Sequence, residues 1–145
     1  MWKELIDYHK EIDLFFKRRE DAHLNYESFA RENMESEEAI YFVAIEEKKV
    51  VGYVLVKIDE YPPIYLYEKY GAIYDLFVKS TYRGRGIGGR LLDKAIEWSN
   101  YRGLERVELN MVSQNSKTYS FYLKHGFRDY MNRLFLENKE FKKII

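Results

Sequence analysis

Seven consecutive positions, Arg83 to Gly89, hold four glycines and two arginines between an apolar run ending at Val78 and a helical pattern beginning at Ile87. So much glycine can extend neither a strand nor a helix, so the stretch must be a turn that opens the helix. Successive amides in such a turn point together, and the helix dipole adds partial positive charge, so an anion finds several donors already arranged. Gly84, Gly86, Gly88 and Gly89 keep side chains out of its path, while Ile87 turns inward as an anchor. Lys79, Arg83, Arg85, Arg90 and Lys94 make the segment basic, with only Asp93 opposing them in sequence. The chain as a whole has 24 Lys and Arg against 24 Asp and Glu, so it carries no global field to gather nucleic acid or an anionic membrane. Its preference for anions is therefore local.

Known phosphate cradles narrow the choice. Gly84, Gly86 and Gly89 fit the spacing G-x-G-x-x-G, and Glu108 follows about 20 residues later, which formally satisfies the dinucleotide fingerprint. In that fingerprint the first glycine follows its strand closely, whereas here Lys79 to Arg83 intervene and too little chain remains for a doubly wound sheet. A Walker loop needs Gly-Lys-Ser or Gly-Lys-Thr, and this chain has Gly-Gly-Arg. Both readings fail.

At 145 residues the chain has the length of one domain, spanning 1–145. It is 46% apolar and 33% charged, which suits a globular protein, and no segment approaches the roughly 20 apolar residues needed to cross a bilayer. The absence of cysteine excludes disulfides, thiolate metal sites and a cysteine nucleophile. His9, His23 and His125 lack metal-ligand spacing, so no metal is expected. With no secretory leader in view, a cytoplasmic location is the default expectation.

Periodicity orders the rest. Helices are expected over Trp2 to Ile12, Asp21 to Met34, Ile87 to about Gly103, and Ser116 to His125. A hairpin joins "AIYFVAIE" to "VVGYVLVKI" through Glu47-Lys48-Lys49, and strands follow at Ala72 to Val78 and Arg106 to Val112. The link Asp59 to Tyr70, with two prolines and four tyrosines, is expected to be an irregular loop. Two short strands, Phe127 to Met131 and Arg133 to Glu137, are expected near the end.

The pattern Arg83-x-x-Gly86-x-Gly88, followed by Asn115-x-x-Thr118-x-x-Phe121-Tyr122-x-x-x-Gly126-Phe127, resembles the GNAT superfamily of N-acetyltransferases. The likeness runs from "AIYFVAIE" to "KHGF". It implies an α+β fold with a mixed, mostly antiparallel central sheet, helices on both faces, and acetyl-coenzyme A as co-substrate. By the same resemblance Arg83, Gly84, Arg85, Gly86, Ile87, Gly88 and Gly89 hold the pyrophosphate, and Asn115 contacts the coenzyme. Backbone groups at Leu76, Phe77 and Val78 take the pantetheine arm where this strand splays from Arg106 to Val112, and an amide near Phe77 polarises the thioester carbonyl. Tyr122 lies near the sulfur and protonates the departing thiolate. The family more often has a small residue where Thr118 stands. It also begins with a strand ahead of the first helix, which is missing here; a bare sheet edge would follow, open to a second subunit, and a homodimer is expected.

An acceptor ammonium must lose a proton before it attacks, and Asp75 and Glu108 lie on the two strands that flank the cleft. On a regular strand Asp75 shares a face with Ile73 and Phe77, and Glu108 with Arg106 and Asn110. Each has a plainer reading, a buried hydrogen-bonded carboxylate for Asp75 and a surface charge pair for Glu108. The acidic clusters Glu35 to Glu38, Asp59-Glu60 and Glu68, with Tyr61, Tyr65, Tyr67 and Tyr70, suit a cationic amine. Two functions stand side by side: an acetyl-coenzyme A dependent N-acetyltransferase acting on a primary amine, and an acyl-coenzyme A binding sensor or interaction module with little catalysis.

Overall fold

The structure, a computed structural model, describes residues 1–138. The chain divides into two compact units, Met1–Asn115 and Ser116–Ile145.

The first unit opens with helices α1 (Trp2–Ile12) and α2 (Ala22–Glu35), then strands β1 (Ala39–Glu46), β2 (Lys49–Glu60) and β3 (Lys69–Val78), helix α3 (Ile87–Tyr101) and the short strand β4 (Val107–Leu109). The strands form one sheet in the order β1-β2-β3-β4, antiparallel except for the parallel β3–β4 pair. That mixture follows from the connections: a tight hairpin reverses the chain between β1 and β2, whereas α3 carries it back so that β4 runs parallel to β3.

β2 is buried on both faces, from Val51 through Val56, because helices cover both sides. On one face lie Tyr41, Tyr53, Leu55 and Phe77, beneath α1 and α2. On the other lie Gly52, Val54 and Val78, beneath α3, whose Leu91, Leu92, Ala95 and Ser99 form its inward stripe. The helix therefore has its apolar residues where a 3.6-residue period puts them.

The strand runs differ from the sequence expectation at their ends. The loop expected over Asp59 to Tyr70 shrinks to residues 61–68, because β2 and β3 pair as far out as Glu60↔Lys69. The strand expected over Arg106 to Val112 pairs only at Val107, Glu108 and Leu109. The hairpin turn is two residues, Glu47 and Lys48, with Lys49 already paired to Glu46. Both turn residues have positive φ, 49° and 63°, the twist a two-residue hairpin demands.

One irregularity matters for function. Leu55 pairs with Asp75 but the next residue, Val56, pairs with Ile73, so Tyr74 is an extra residue in β3. The insertion flips the alternation. Asp75 consequently lies on the Leu55 and Phe77 face, opposite Ile73, and the expectation that Asp75 and Ile73 share a face is corrected.

The second unit contains helix α4 (Ser116–Lys124). Gly126 closes it with φ 87°, and the amides of His125 and Phe127 both donate to Tyr122 O. The two strands expected after it do not form: residues 127–138 carry no strand, and Met131, Leu134, Phe135 and Leu136 are exposed with no neighbouring strand to pair with among the described residues.

Two outcomes test this packing. Replacing Glu47-Lys48 by Asn-Gly should raise stability in denaturant titration by about 1–2 kcal/mol, since neither new residue resists positive φ. Gly52→Ala should lower it by about 1–3 kcal/mol, because the new methyl would lie 2.8 Å from the Phe77 carbonyl oxygen and 3.2 Å from Leu91.

Candidate functional site

The glycine turn is built as its composition requires. Gly84 and Gly86 both have φ 76°, a conformation that excludes most side chains, and a methyl group on either would meet open space. Gly86 caps α3 without a side-chain hydrogen bond, and the first helical bond runs from Arg90 N to Gly86 O at 3.1 Å. Between them, the amides of residues 84 through 89 donate to no acceptor among the described residues. Ile87 is buried and fixes the start of the helix. Six open donors at a positive helix end suit an anion with several oxygens, such as a diphosphate.

The arginines are less free than the sequence suggests. Arg83 Nε donates to Val78 O at 2.8 Å, tying the turn to the end of β3, and its guanidinium lies against the rings of Phe77 and Tyr8. Arg85 pairs with Glu46 at 3.2 Å, bonds Thr81 O and stacks on Tyr82. Lys94 pairs with Glu97 at 2.7 Å. Asp93 is thus not the sole opposing charge: Glu46, brought in by the hairpin, and Glu97, one turn along α3, also oppose the basic segment.

Beside the turn runs an open strand edge. β3 pairs with β4 at Gly71, Ala72 and Ile73, then continues alone to Val78. Lys79 N donates to Val51 O at 2.9 Å, which sets the antiparallel alternation: Phe77 directs its amide and carbonyl at Tyr53, and Leu76 and Val78 direct theirs to the opposite side. Pairing of β3 with β4 ends at Ile73, and among the described residues the donors left open beyond it belong to Leu76 and Val78, whereas the Phe77 amide faces β2. Arg83 takes the Val78 carbonyl.

Asp75 and Glu108 sit in different surroundings. Asp75 Oδ2 accepts from Tyr26 Oη at 2.9 Å and from Tyr53 Oη at 3.3 Å. Burial holds its proton affinity above the ordinary carboxylate range, while the two phenol donors and the charge of His9 act the other way. Glu108 Oε1 accepts from Tyr61 Oη and pairs with Arg106 at 3.2 Å. Tyr61 also stacks on Tyr70 at 4.5 Å and meets Tyr65 edge-on at 6.5 Å, so three of the four tyrosines singled out in the sequence lie together.

Asn115 is buried, and its amide donates to Val112 O at 2.9 Å. Within the second unit, Tyr122 is buried against Phe121 and Phe127, and burial pushes its phenol up to about 12. Sequence reasoning missed Tyr26 and Tyr53. The signal was available, since a carboxylate within an apolar strand requires donors from somewhere.

The acetyltransferase (GNAT) family model matches residues 2–127. An uncharacterized N-acetyltransferase of Methanocaldococcus jannaschii is 35% identical over 96 residues, 66% of this chain, and one of Archaeoglobus fulgidus is 33% identical over 80 residues, 55% of it. The matched stretches make up only 42% and 54% of those relatives' own lengths. A Bacillus halodurans protein shares the fold with TM-score 0.83 at 23% identity, covering 93% of this chain and 87% of its own. An aminoglycoside acetyltransferase in complex with a bisubstrate analogue of coenzyme A shares it with TM-score 0.70 at 18% identity, covering 84% and 82%. The glycine turn, the open β3 edge and these likenesses converge, and the chain belongs to the acetyltransferase (GNAT) family.

Proposed function

We propose that this protein moves an acetyl group from acetyl-coenzyme A to a primary amine, by direct attack of the amine while both reactants are held. The observation that carries the reading is the run of open amides from Gly84 to Gly89 at the start of α3. Acetyl-coenzyme A, when bound, supplies the acetyl group as a thioester. Gly84, Arg85, Gly86, Ile87, Gly88 and Gly89 would hold its diphosphate through their amides, and the terminal nitrogens of Arg83 add charge that no described residue neutralises. Leu76 and Val78 offer the open strand edge, and Asn115 joins them by family resemblance. The amide of Leu76, two residues after the inserted Tyr74, is the donor assigned to the charge that develops on the carbonyl.

Of the two carboxylates, Asp75 is assigned the acceptor's proton. Glu108 has one oxygen already committed to a guanidinium and a phenol. Asp75 has no cation on it within hydrogen-bond reach and is buried enough to bind a proton above the usual carboxylate range. Tyr122 is assigned the proton donated to the leaving thiolate, and burial, which raises its phenol to about 12, keeps that proton in place at neutral pH.

Calorimetry with acetyl-coenzyme A, together with thiol release across a panel of primary amines, tests the reading. Binding with turnover is expected; binding without turnover to any amine overturns the enzymatic part, and no binding overturns the whole. Gly86→Val should weaken uptake by roughly tenfold, since a β-branched residue at φ 76° costs about 1–2 kcal/mol.

Tyr122→Phe should leave the coenzyme dissociation constant unchanged and lower kcat by roughly a hundredfold. With its phenol at about 12, the parent enzyme should hold its rate through pH 10, where an ordinary tyrosine would already be ionising. A decline near pH 10 that vanishes in Tyr122→Phe would contradict the burial argument.

A further inference from the structure

We propose that Tyr26, on α2, is a positioning residue for acetyl transfer: together with Tyr53 it clamps one oxygen of the Asp75 carboxylate and leaves the other as the atom that receives the acceptor's proton. The inference rests on the assignment of Asp75 made above.

The contacts are one-sided. Tyr26 Oη and Tyr53 Oη both donate to Oδ2, at 2.9 and 3.3 Å, and the two hydroxyls lie 3.5 Å apart. Oδ1 accepts no hydrogen bond from the described residues and is not sealed from solvent. A carboxylate free to rotate would present both oxygens in turn, whereas one held by two donors presents the same oxygen throughout.

The clamp is itself braced. The indole of Trp2 stacks on the Tyr26 ring at 4.2 Å and 11°, and Phe29 packs on that ring at 5.8 Å. Four elements face Asp75: His9 from α1, Tyr26 from α2, Tyr41 from β1 and Tyr53 from β2. The Tyr41 hydroxyl is buried close to that of Tyr26, with its ring 6.1 Å from that of Tyr53, so a third phenol stands beside the clamp. Burial keeps the Tyr26 phenol protonated well beyond its ordinary range, which preserves it as a donor. Both donors favour the ionised carboxylate and oppose the effect of burial. In the step itself an N–H bond of the acceptor ammonium breaks, its proton passes to Oδ1, and the nitrogen lone pair is released for attack.

Tyr26→Phe keeps the ring and its stack on Trp2 and removes only the donor. Two readings are made on it: kcat/KM against pH, and the midpoint of the Asp75 carboxyl carbon shift in a 13C titration, which needs no turnover. Removing a donor to the ionised form should move both midpoints to higher pH, with the rate several-fold lower on the acid side and recovering on the plateau. Tyr53→Phe should move them the same way by less, its bond being longer. Unmoved midpoints overturn the proposal, as does a loss of rate that is uniform in pH.

Asp75→Asn separates the two ideas. If the acid limb survives in that variant, Asp75 is not the proton acceptor and both assignments fall. If the limb disappears there but Tyr26→Phe leaves the parent's limb in place, the clamp alone is wrong.

Discussion

One inserted residue governs the geometry. Tyr74 has no counterpart in β2, and from that point β3 reverses which backbone groups face which neighbour. Before it, Gly71 directs its amide at β4 and takes Arg106 O; after it, Asp75 and Phe77 turn theirs to β2, and Leu76 and Val78 turn theirs to an edge that β4 has already left. The same reversal carries the Asp75 side chain beneath α2 and within reach of two phenols. An open backbone edge and an anchored carboxylate thus have a common origin.

The second constraint is the handedness of the turn that follows. Two left-handed glycines bring the chain from Val78 to the first turn of α3 with the amides of residues 84 through 89 open, and Ile87 seats that geometry in the core. Arg83 Nε bonds Val78 O and so ties the turn to the end of the strand. On the function proposed above, the surface for the diphosphate and the surface for the pantetheine arm are then adjacent segments of the chain.

Much of this was legible in the amino-acid sequence, for reasons that can be named. The hairpin, α3 and the glycine turn are local: period, turn chemistry and positive φ are each decided within a few residues. The inserted residue was not legible, because Ile73-Tyr74-Asp75 reads as ordinary alternation until β2 is laid beside it. Nor were the partners of the charges, since Glu46 reaches Arg85 across 39 positions and Tyr26 reaches Asp75 across 49. The strands expected after α4 failed for the opposite reason: their composition favours extension, but a strand exists only where another lies beside it.

The pairing of Arg85 with Glu46 alters how this protein should feel ionic strength. On the function proposed above, a phosphate reaching for the Arg85 guanidinium would compete with a carboxylate already in place, so that contact would add only the difference between two ion pairs. Dissolved salt weakens both sides of that exchange. The uptake of a highly charged nucleotide should therefore fall off with salt more gently than the number of arginines and lysines around the turn would imply.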